Sequence, residues 1–353
     1  MTTLVTGYPT SFLATRVVRR LLSDGRDVCC VVQSKSTAHA ESERNALPTD
    51  QRRRLRFLEG DSAALDLGLS GAEHTALAHD VQEIHHCAAI SYLGVPRRVA
   101  EATNLGGARE IVELAEAARD LQRLVFWSTA LVSGARRGTV LEDELGDGPF
   151  HNPIDETRMR AERIVREVMD HVPTTILRPA ITVGDSKTGE VDRLEGPYLL
   201  VLLMLNTPQD ISLPMPGRGD VPLNIVPIDY VVDAGFAILR ERTSLGHGYH
   251  IVDPAPRTAR EVFERIAREA GRPLPRGFVP TQVATRMLRA PGLERFNVPR
   301  TFLEQMSTEV VWSDRRARPI LESAGVRCPS FDDYVGPMVD FVRAHQDREL
   351  IVS

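Results

Sequence analysis

Within its first 32 residues the chain carries a strand, a glycine turn, an amphipathic helix and a second strand. Thr3–Thr6 is a β-branched run that ends at a glycine, and from Ser11 onward six apolar residues recur at helical spacing. Asp24-Gly25 ends that helix, and Asp27–Val32 is a second buried run. A strand that returns after one helix runs parallel to the first, so this opening predicts a parallel sheet covered by helices.

The same alternation continues through the first half of the chain. The further predicted strands are Leu55–Leu58, Val81–His86, Leu124–Ser128 and Thr174–Leu177, and the further predicted helices are Asn104–Ala118 and Arg158–His171. Repeated βα units of this kind predict an α/β fold with a Rossmann-type, doubly wound parallel sheet. We expect residues 1–185 to form this dinucleotide-binding core. Residues 186–353, which are rich in proline and include a predicted helix at Arg257–Ala270, are expected to form a smaller, mostly helical substrate region interleaved with the core.

Composition excludes several classes of partner. A net charge of −5, from 43 basic and 48 acidic residues, gives no reason to expect a nucleic-acid partner. The longest apolar run, Leu199–Leu205, is far shorter than the roughly 20 residues that span a bilayer, and no signal peptide is visible. Four scattered cysteines form no CxxC pair, and the adjacent His85 and His86 point to opposite faces of a strand. We therefore expect a protein of the reducing cytoplasm, without a metal, membrane or nucleic-acid partner.

The first strand-to-helix turn is a candidate pyrophosphate site. Such a turn needs glycine where the backbone bends sharply and approaches the phosphates, and Gly7 is the one glycine in this turn. The small side chains of Thr10 and Ser11, followed by Phe12 and Leu13 at a helix N-terminus, favour an anion. The alternative is a plain strand-to-helix turn that binds no nucleotide.

The end of the second predicted strand bears on which dinucleotide is bound. An NAD site usually has an acidic residue here that holds the ribose 2′-hydroxyl. This chain has Gln33, Ser34, Lys35 and Ser36 instead, and Lys35 suits a 2′-phosphate. The pattern favours NADP(H) over NAD(H), and the alternative is a solvated lysine in a polar loop.

A series of short segments follows in fixed order within residues 1–270. The segments are Gly60-Asp61, Asp66-Leu67-Gly68-Leu69-Ser70, His86-Cys87-Ala88-Ala89, Asn104-Leu105-Gly106-Gly107, Ser128-Thr129-Ala130, Arg178-Pro179, Gly184-Asp185, Thr188-Gly189-Glu190, Glu195-Gly196-Pro197-Tyr198 and Asn224-Ile225-Val226-Pro227-Ile228-Asp229-Tyr230. By their order and spacing they resemble the extended short-chain dehydrogenase/reductase (SDR) family, in its thioester and fatty-acyl reductase branch. The resemblance implies a reductase for a carbonyl, hydroxyl or thioester compound, either small or carrier-bound.

The resemblance also implies roles for single residues. On the cofactor side it points to Asp61, Pro179 and the backbone of Ala88 and Ala89, and its paired helices imply a homodimer. Thr129 takes the position of the hydroxyl residue that binds the substrate oxygen, or else it is a strand-end hydroxyl bonded to nearby backbone.

Asn104 is the second residue whose role has two interpretations. It takes the position of an asparagine that organises a relay water in some relatives. The alternative is that it simply caps the helix predicted to start there, a role asparagine fills well.

The family's catalytic pair is absent. Its reductases carry a tyrosine and, four residues later on the same helix face, a lysine, whereas this chain has Ile154 and Arg158 at these positions. Isoleucine cannot transfer a proton, and arginine keeps a positive charge that can bind ribose hydroxyls. His151, Tyr198 and Tyr92 are candidate substitute donors, each with a purely structural role as the alternative.

Three functions therefore stay open. The first is an atypical NADP(H)-dependent reductase with a substitute proton donor. The second is an SDR scaffold redirected to non-redox chemistry, as a cyclase, isomerase or lyase. The third is a nucleotide-binding protein without catalysis, since fold alone does not choose between them.

Overall fold

The computed structural model describes residues 2–91, 95–280, 283 and 309–345; Tyr92 lies outside them. The chain divides into two compact units, each assembled from separate stretches. Unit 1 consists of Met1–Val132, Pro153–Arg178 and Gly235–Tyr249, and unit 2 of Ser133–Asn152, Pro179–Ala234 and His250–Ser353. The prediction placed a single boundary after residue 185. In the structure, residues 133–152, which precede that boundary, belong to unit 2, and residues 235–249, which follow it, belong to unit 1.

The strands are short, and most of the longer ones belong to one sheet. They are β1 (Thr2–Thr6), β2 (Asp27–Val32), β3 (Leu55–Glu59), β4 (Val81–His86), β5 (Arg123–Trp127), β6 (Gly138–Val140), β7 (Thr174–Pro179), β8 (Ile181–Val183), β9 (Met215–Pro216), β10 (Ile225–Pro227), β11 (His247–Ile251), β12 (Phe278–Val279) and β13 (Val310–Trp312).

The helices alternate with these strands. They are α1 (Phe12–Ser23), α2 (Thr37–Asn45), α3 (Thr49–Arg54), α4 (Gly71–Asp80), α5 (Arg97–Glu101), α6 (Gly107–Ala117), α7 (Pro153–Arg166), α8 (Pro197–Asn206), α9 (Ile228–Arg240), α10 (Ala259–Glu269), α11 (Ala317–Ser323) and α12 (Phe331–His345), together with a π-helical turn at Ala102–Gly106 and single 3₁₀ turns at Ser34–Ser36, Leu65–Gly68, Ala130–Ser133 and Arg242–Ser244.

The main sheet has seven strands in the order β11-β7-β5-β4-β1-β2-β3, and the pairs from β7 to β3 are parallel. The strand order reverses at β1, which lies between β2 and β4. This is the doubly wound Rossmann topology that the βα alternation predicts, and the fold class is confirmed. β11 was not predicted, because its sequence HGYHI has few of the β-branched residues that mark a strand.

Two helix predictions need correction at their ends. α7 spans Pro153–Arg166, whereas the prediction placed it at Arg158–His171. Proline suits the first turn of a helix, because its fixed φ is helical and an N–H at that position would have no partner within the helix. The helix predicted to start at Asn104 instead begins at Arg97 and continues through the π turn into α6, so Asn104 lies inside it and is not its cap.

Each unit has its own hydrophobic core. In unit 1, Leu4, Ile84 and Leu124 on the sheet pack with Ile111 and Ala115 of α6. In unit 2, the apolar run predicted from the sequence forms α8, which is buried among residues of α10 and α12. Among the residues that the structure covers, no helix is long and apolar enough to cross a membrane.

Candidate nucleotide and catalytic site

The carboxyl ends of β1 and β4 meet at the point where the strand order reverses, which is where open α/β sheets bind their ligands. Gly7 follows β1 with a φ of +91°. A Cβ atom on it would lie 2.9 Å from the Ala88 nitrogen and 3.0 Å from the Cys87 carbonyl carbon, so a side chain has no room. The sequence-predicted residues Gly7 and Ala88 are therefore brought into direct backbone contact.

A buried hydrogen-bond pair holds the two strand ends together. The Thr6 hydroxyl oxygen accepts from the Ala88 N–H at 3.3 Å, so its hydrogen is directed at His86 Nδ1, 3.0 Å away. Burial, followed by the positive charge of Arg158, lowers the pKa of His86 to about 3, so the ring is neutral and Nδ1 accepts. His86 thus has a structural role, because its ring bonds to the Thr6 hydroxyl and helps to join the ends of β1 and β4.

The N-terminus of α1 offers donors to an anion. The Ser11 hydroxyl accepts from the Ala14 N–H at 3.2 Å, so Ser11 caps the helix. The amides of Phe12 and Leu13, also in the first turn, have no acceptor within the described part of the chain. Thr10 is exposed, and its hydroxyl donates to the Gly7 oxygen at 3.3 Å. This turn fits a pyrophosphate at Phe12 and Leu13.

The predicted 2′-phosphate residues follow β2, the strand next to β1 in the sheet. Lys35 is exposed in the 3₁₀ turn after β2, and no carboxylate of the described residues pairs with it. Ser34 donates to the carboxylate of Glu59, so its hydroxyl is already used. Gln33 Nε2 donates to Asp61 Oδ2 at 2.7 Å, which brings two predicted cofactor residues together.

The position of the family's tyrosine is filled by an apolar cluster. Ile154 is 3% exposed and packs with Ile90, Ala100 and the partly buried Val95. Among the described residues, this cluster therefore contributes no polar side chain and no proton.

The position of the family's lysine holds a buried cation. Arg158 is 8% exposed, and its Nη2 donates to the main-chain oxygen of Trp127 at 2.8 Å. Its other guanidinium nitrogens have no acceptor in the described ranges. Burial lowers the pKa of Arg158 to about 10, while the charges of Glu162 and Asp155 oppose that shift, so the side chain is positive at neutral pH. A buried cation with unused donors fits an anionic or hydroxyl-bearing ligand.

Thr129 follows β5 two residues after Trp127. It is half-buried, and its hydroxyl oxygen accepts from the Leu131 N–H at 3.3 Å. Thr129 and Arg158 are thus both attached to the carboxyl end of β5, and the predicted role of Thr129 at a substrate oxygen stays a prediction.

The hydrogen bonds of Asn104 differ from those that a helix cap or a relay asparagine would make. Its Oδ1 accepts from the Ile90 N–H at 2.8 Å, and its Nδ2 donates to the Ile90 oxygen at 3.2 Å and to the Thr157 hydroxyl at 2.9 Å. The side chain therefore fixes the loop after β4 to α7. These three bonds favour a structural role over the predicted proton relay.

Three predicted residues lie in unit 2. The Tyr198 hydroxyl donates to the Gly189 oxygen at 2.7 Å and accepts from the Gly184 N–H at 3.1 Å, and burial raises its pKa well above the usual value. This favours a structural role over a proton donor. His151 is half-buried just before α7, and Pro179 is the buried last residue of β7. Their predicted roles stay predictions.

A buried charged cluster beneath Thr129 and Arg158 was missed in the sequence. Glu162 and Arg178 form an ion pair with both side chains at 0% exposure. Burial by itself raises the pKa of Glu162, but Arg178, Arg166 and the hydroxyl of Ser128 more than reverse this and lower it to about 2. The one available signal was that Glu162 follows Arg158 by four residues, on the same helix face.

The chain is similar to known reductases and synthetases. The sequence profile of a family of NAD-binding domains, described as "Male sterility protein", matches residues 5–235. Fatty acyl-CoA reductase wat of Drosophila melanogaster is 26% identical over 51% of this chain and 40% of its own length. The non-canonical nonribosomal peptide synthetase cpsA of Aspergillus campestris is 23% identical over 76% of this chain and 27% of its own length. The chain thus spans less than half the length of either relative.

A solved structure is similar over nearly the whole chain. The terminal R domain from the myxalamid PKS-NRPS biosynthetic pathway superposes with a TM-score of 0.81 at 25% identity, covering 98% of this chain and 91% of that one. The family profile ends at residue 235, whereas this structural similarity continues beyond it into the last stretch of unit 2.

Proposed function

Because this chain belongs to the male sterility protein family of NAD(P)-binding domains, in the reductase branch of the extended SDR superfamily, we propose that it is an NADP(H)-dependent reductase of acyl thioesters. The proposed product is an aldehyde, and the proposed substrate is carried by a small thiol or by a carrier protein. The observation that carries the proposal is the buried Arg158, whose unused donors accompany Thr129 at the end of β5. The reductase and synthetase relatives favour it over the non-redox alternative.

Different residues of the crevice are assigned to different parts of the cofactor. We assign the pyrophosphate to the amides of Phe12 and Leu13, and the 2′-phosphate to Lys35. The adenosine side falls to Asp61 with Gln33 and to the backbone of Ala88 and Ala89. Arg158 is assigned the ribose hydroxyls and the charge of the reacting oxygen.

The absence of a proton donor at Ile154 favours a thioester over a ketone. NADPH, if bound in the crevice, would supply the hydride and become NADP⁺, and the carbonyl oxygen of the substrate would then carry a negative charge. The Thr129 hydroxyl and the Arg158 guanidinium stabilise that charge. The oxygen electron pair then re-forms the C=O bond and breaks the C–S bond, and the released thiolate takes a proton from water.

The leaving group explains why no acid is needed. A thiol has a pKa of about 8.5, so a thiolate leaves without prior protonation. A ketone gives an alkoxide that must be protonated, and a general acid is then worth roughly 10²- to 10⁴-fold in rate. Ile154 is therefore compatible with thioester reduction and unfavourable for ketone reduction.

Product stoichiometry tests the proposal. The purified protein is incubated with NADPH and an acyl-CoA, or with an acylated carrier protein, and NADPH loss, aldehyde and free thiol are measured. We expect one aldehyde and one free thiol to form for each NADPH oxidised, and we expect no thiol release when NADPH is omitted. Failure to bind NADPH, or thiol release without NADPH oxidation, contradicts the proposal. The predicted homodimer is tested separately by light scattering.

A further inference from the structure

We propose that Glu162 is a positioning residue that holds Thr129 and Arg158 in their working places. The inference rests on the proposed function for the roles of those two residues. That one carboxylate positions both Thr129 and Arg158 is inferred from contacts within unit 1.

The Glu162 carboxylate is fully buried and saturated with donors. Arg178 Nε lies 3.1 and 2.9 Å from its two oxygens, Arg166 Nε lies 2.8 Å from Oε1, and the Ser128 hydroxyl lies 2.6 Å from Oε2. The donors come from α7 itself, from β7 and from the end of β5. A group bonded to three elements at once cannot shift without moving all of them.

The first connection runs to Thr129 through its neighbour. Ser128 is held by its hydroxyl on Glu162 and by its N–H on the Leu177 oxygen at 2.7 Å. Thr129 is the next residue of the chain after Ser128, so anchoring Ser128 on both Glu162 and Leu177 restricts where the Thr129 backbone and hydroxyl can lie. The placement of the Thr129 hydroxyl thus depends on the Ser128–Glu162 bond.

The second connection runs to Arg158. Arg158 and Glu162 lie four residues apart on one face of α7, and the negative charge of Glu162 offsets the burial of the Arg158 guanidinium. Arg158 donates to Trp127 and Glu162 accepts from Ser128, so α7 is attached to two consecutive residues of the chain leaving β5.

Stability alone does not account for such a group. Replacing a buried ion pair by apolar residues is often neutral or stabilising, because removing two charges from water costs about as much as their attraction returns. A buried carboxylate that is bonded to both strand ends, and that lies one helical turn from a site cation on the same face of α7, is better explained by the geometry it imposes.

The test compares two glutamates that are each held by a cation. Glu162→Gln keeps the shape and removes the charge, and the matched control is Glu83→Gln. Glu83 on β4 is largely buried, bonds to His85 at 2.7 Å and Arg26 at 3.1 Å, and has a pKa lowered to about 2. We expect both variants to lose thermal stability. Only Glu162→Gln should weaken NADPH binding, by about tenfold, and lower kcat, by on the order of 10²-fold as for a misplaced reacting group.

A second variant separates the two connections. Ser128→Ala removes the bond to Glu162 and leaves the Glu162–Arg178 pair intact. We expect kcat to fall about tenfold while the Kd for NADPH stays unchanged, since the Glu162–Arg178 pair and the Arg158–Trp127 bond still hold Arg158 in place. Ser128→Ala also keeps the inference testable if Glu162→Gln does not fold.

The outcomes distinguish this inference from the proposed function. If the unmodified protein binds NADPH but reduces no thioester, the proposed function fails, and NADPH titration of Glu162→Gln still tests the hold on Arg158. If Glu162→Gln and Glu83→Gln affect NADPH affinity equally, or Ser128→Ala leaves kcat of an active enzyme unchanged, the positioning role is overturned.

Discussion

The guanidinium of Arg158 donates to the main-chain oxygen of Trp127 at 2.8 Å, which ties a buried cation on α7 to the last residue of β5. Thr129 follows two residues later on the same strand end. The family's tyrosine position, one turn earlier on α7, holds Ile154 in an apolar cluster. The site thus keeps a positive charge and a hydroxyl where the family's proton donor is missing, and this combination leads to the following predictions.

Arg158→Met is expected to remove the charge and the donors at the end of β5. The Kd for NADPH should rise about tenfold, and kcat for a thioester should fall by on the order of 10²-fold, as for loss of an oxyanion donor. Fluorescence titration and steady-state kinetics measure the two effects. Arg160→Met is the control, because Arg160 is 40% exposed and pairs with Glu101 on the surface; an equal loss in this control would argue against a role for Arg158.

Ile154→Tyr is expected not to restore ordinary SDR chemistry. The new hydroxyl would enter the cluster of Ile90 and Ala100, where burying an unpaired hydroxyl costs about 1–3 kcal/mol. Chemical denaturation should show this loss, whereas Ile154→Leu, which conserves volume, should cost about 1 kcal/mol or less. A stable Ile154→Tyr variant with raised ketone reductase activity would contradict the prediction.

Gly7→Ala is expected to abolish NADPH binding. The Cβ would lie 2.9 Å from the Ala88 nitrogen, and φ at this residue is +91°. Gly246→Ala is the control, because Gly246 has a φ of +77° with nothing within 4 Å of the added Cβ, so it reports backbone strain alone, about 1–2 kcal/mol. NADPH titration should show loss for Gly7→Ala and wild-type affinity for Gly246→Ala.

Lys35→Ala is expected to change the choice of cofactor. Lys35 has no carboxylate partner in the described part of the chain, and a charge-assisted bond to phosphate is worth about tenfold or more in affinity. The Kd for NADPH should therefore rise while that for NADH stays constant. A proportional loss for both cofactors would place the 2′-phosphate elsewhere.

Glu195 makes the stability of the protein depend on pH. Burial raises the pKa of its carboxyl from 4.5 to about 7, with Arg193 opposing and Asp192 adding to the shift. A raised pKa means that the folded state binds the proton more tightly, so stability falls as pH rises from about 4.5 to 7. The loss is on the order of 1–3 kcal/mol for this half-buried group. Denaturation at pH 5 and pH 8 should show it, and Glu195→Gln should remove that part of the pH dependence.

Local patterns predicted the strands well where the residues are uniformly apolar. β2 has the predicted bounds, because the buried run Val28–Val32 between turn signals has few alternatives. β4 also has the predicted bounds, although four of its six residues are polar. α7 was displaced by five residues at each end, since its acidic and basic residues blur the apolar period and Pro153 was not taken as its start. Ser11 was assigned to a phosphate, and the fold uses its side chain first as a helix cap.

The sequence by itself determined the doubly wound sheet, the family and the loss of the Tyr/Lys pair, because these follow from periodicity, motif order and residue identity at Ile154 and Arg158. Only the tertiary structure decided what surrounds those residues. The Glu162–Arg178 pair joins side chains of α7 and β7, Asn104 bonds to Ile90 and Thr157, and Gly7 meets Ala88 across 81 positions of the chain. Hydrogen bonds and steric exclusion act over a few ångströms in space, and separation along the chain does not reveal which groups folding will bring within that range.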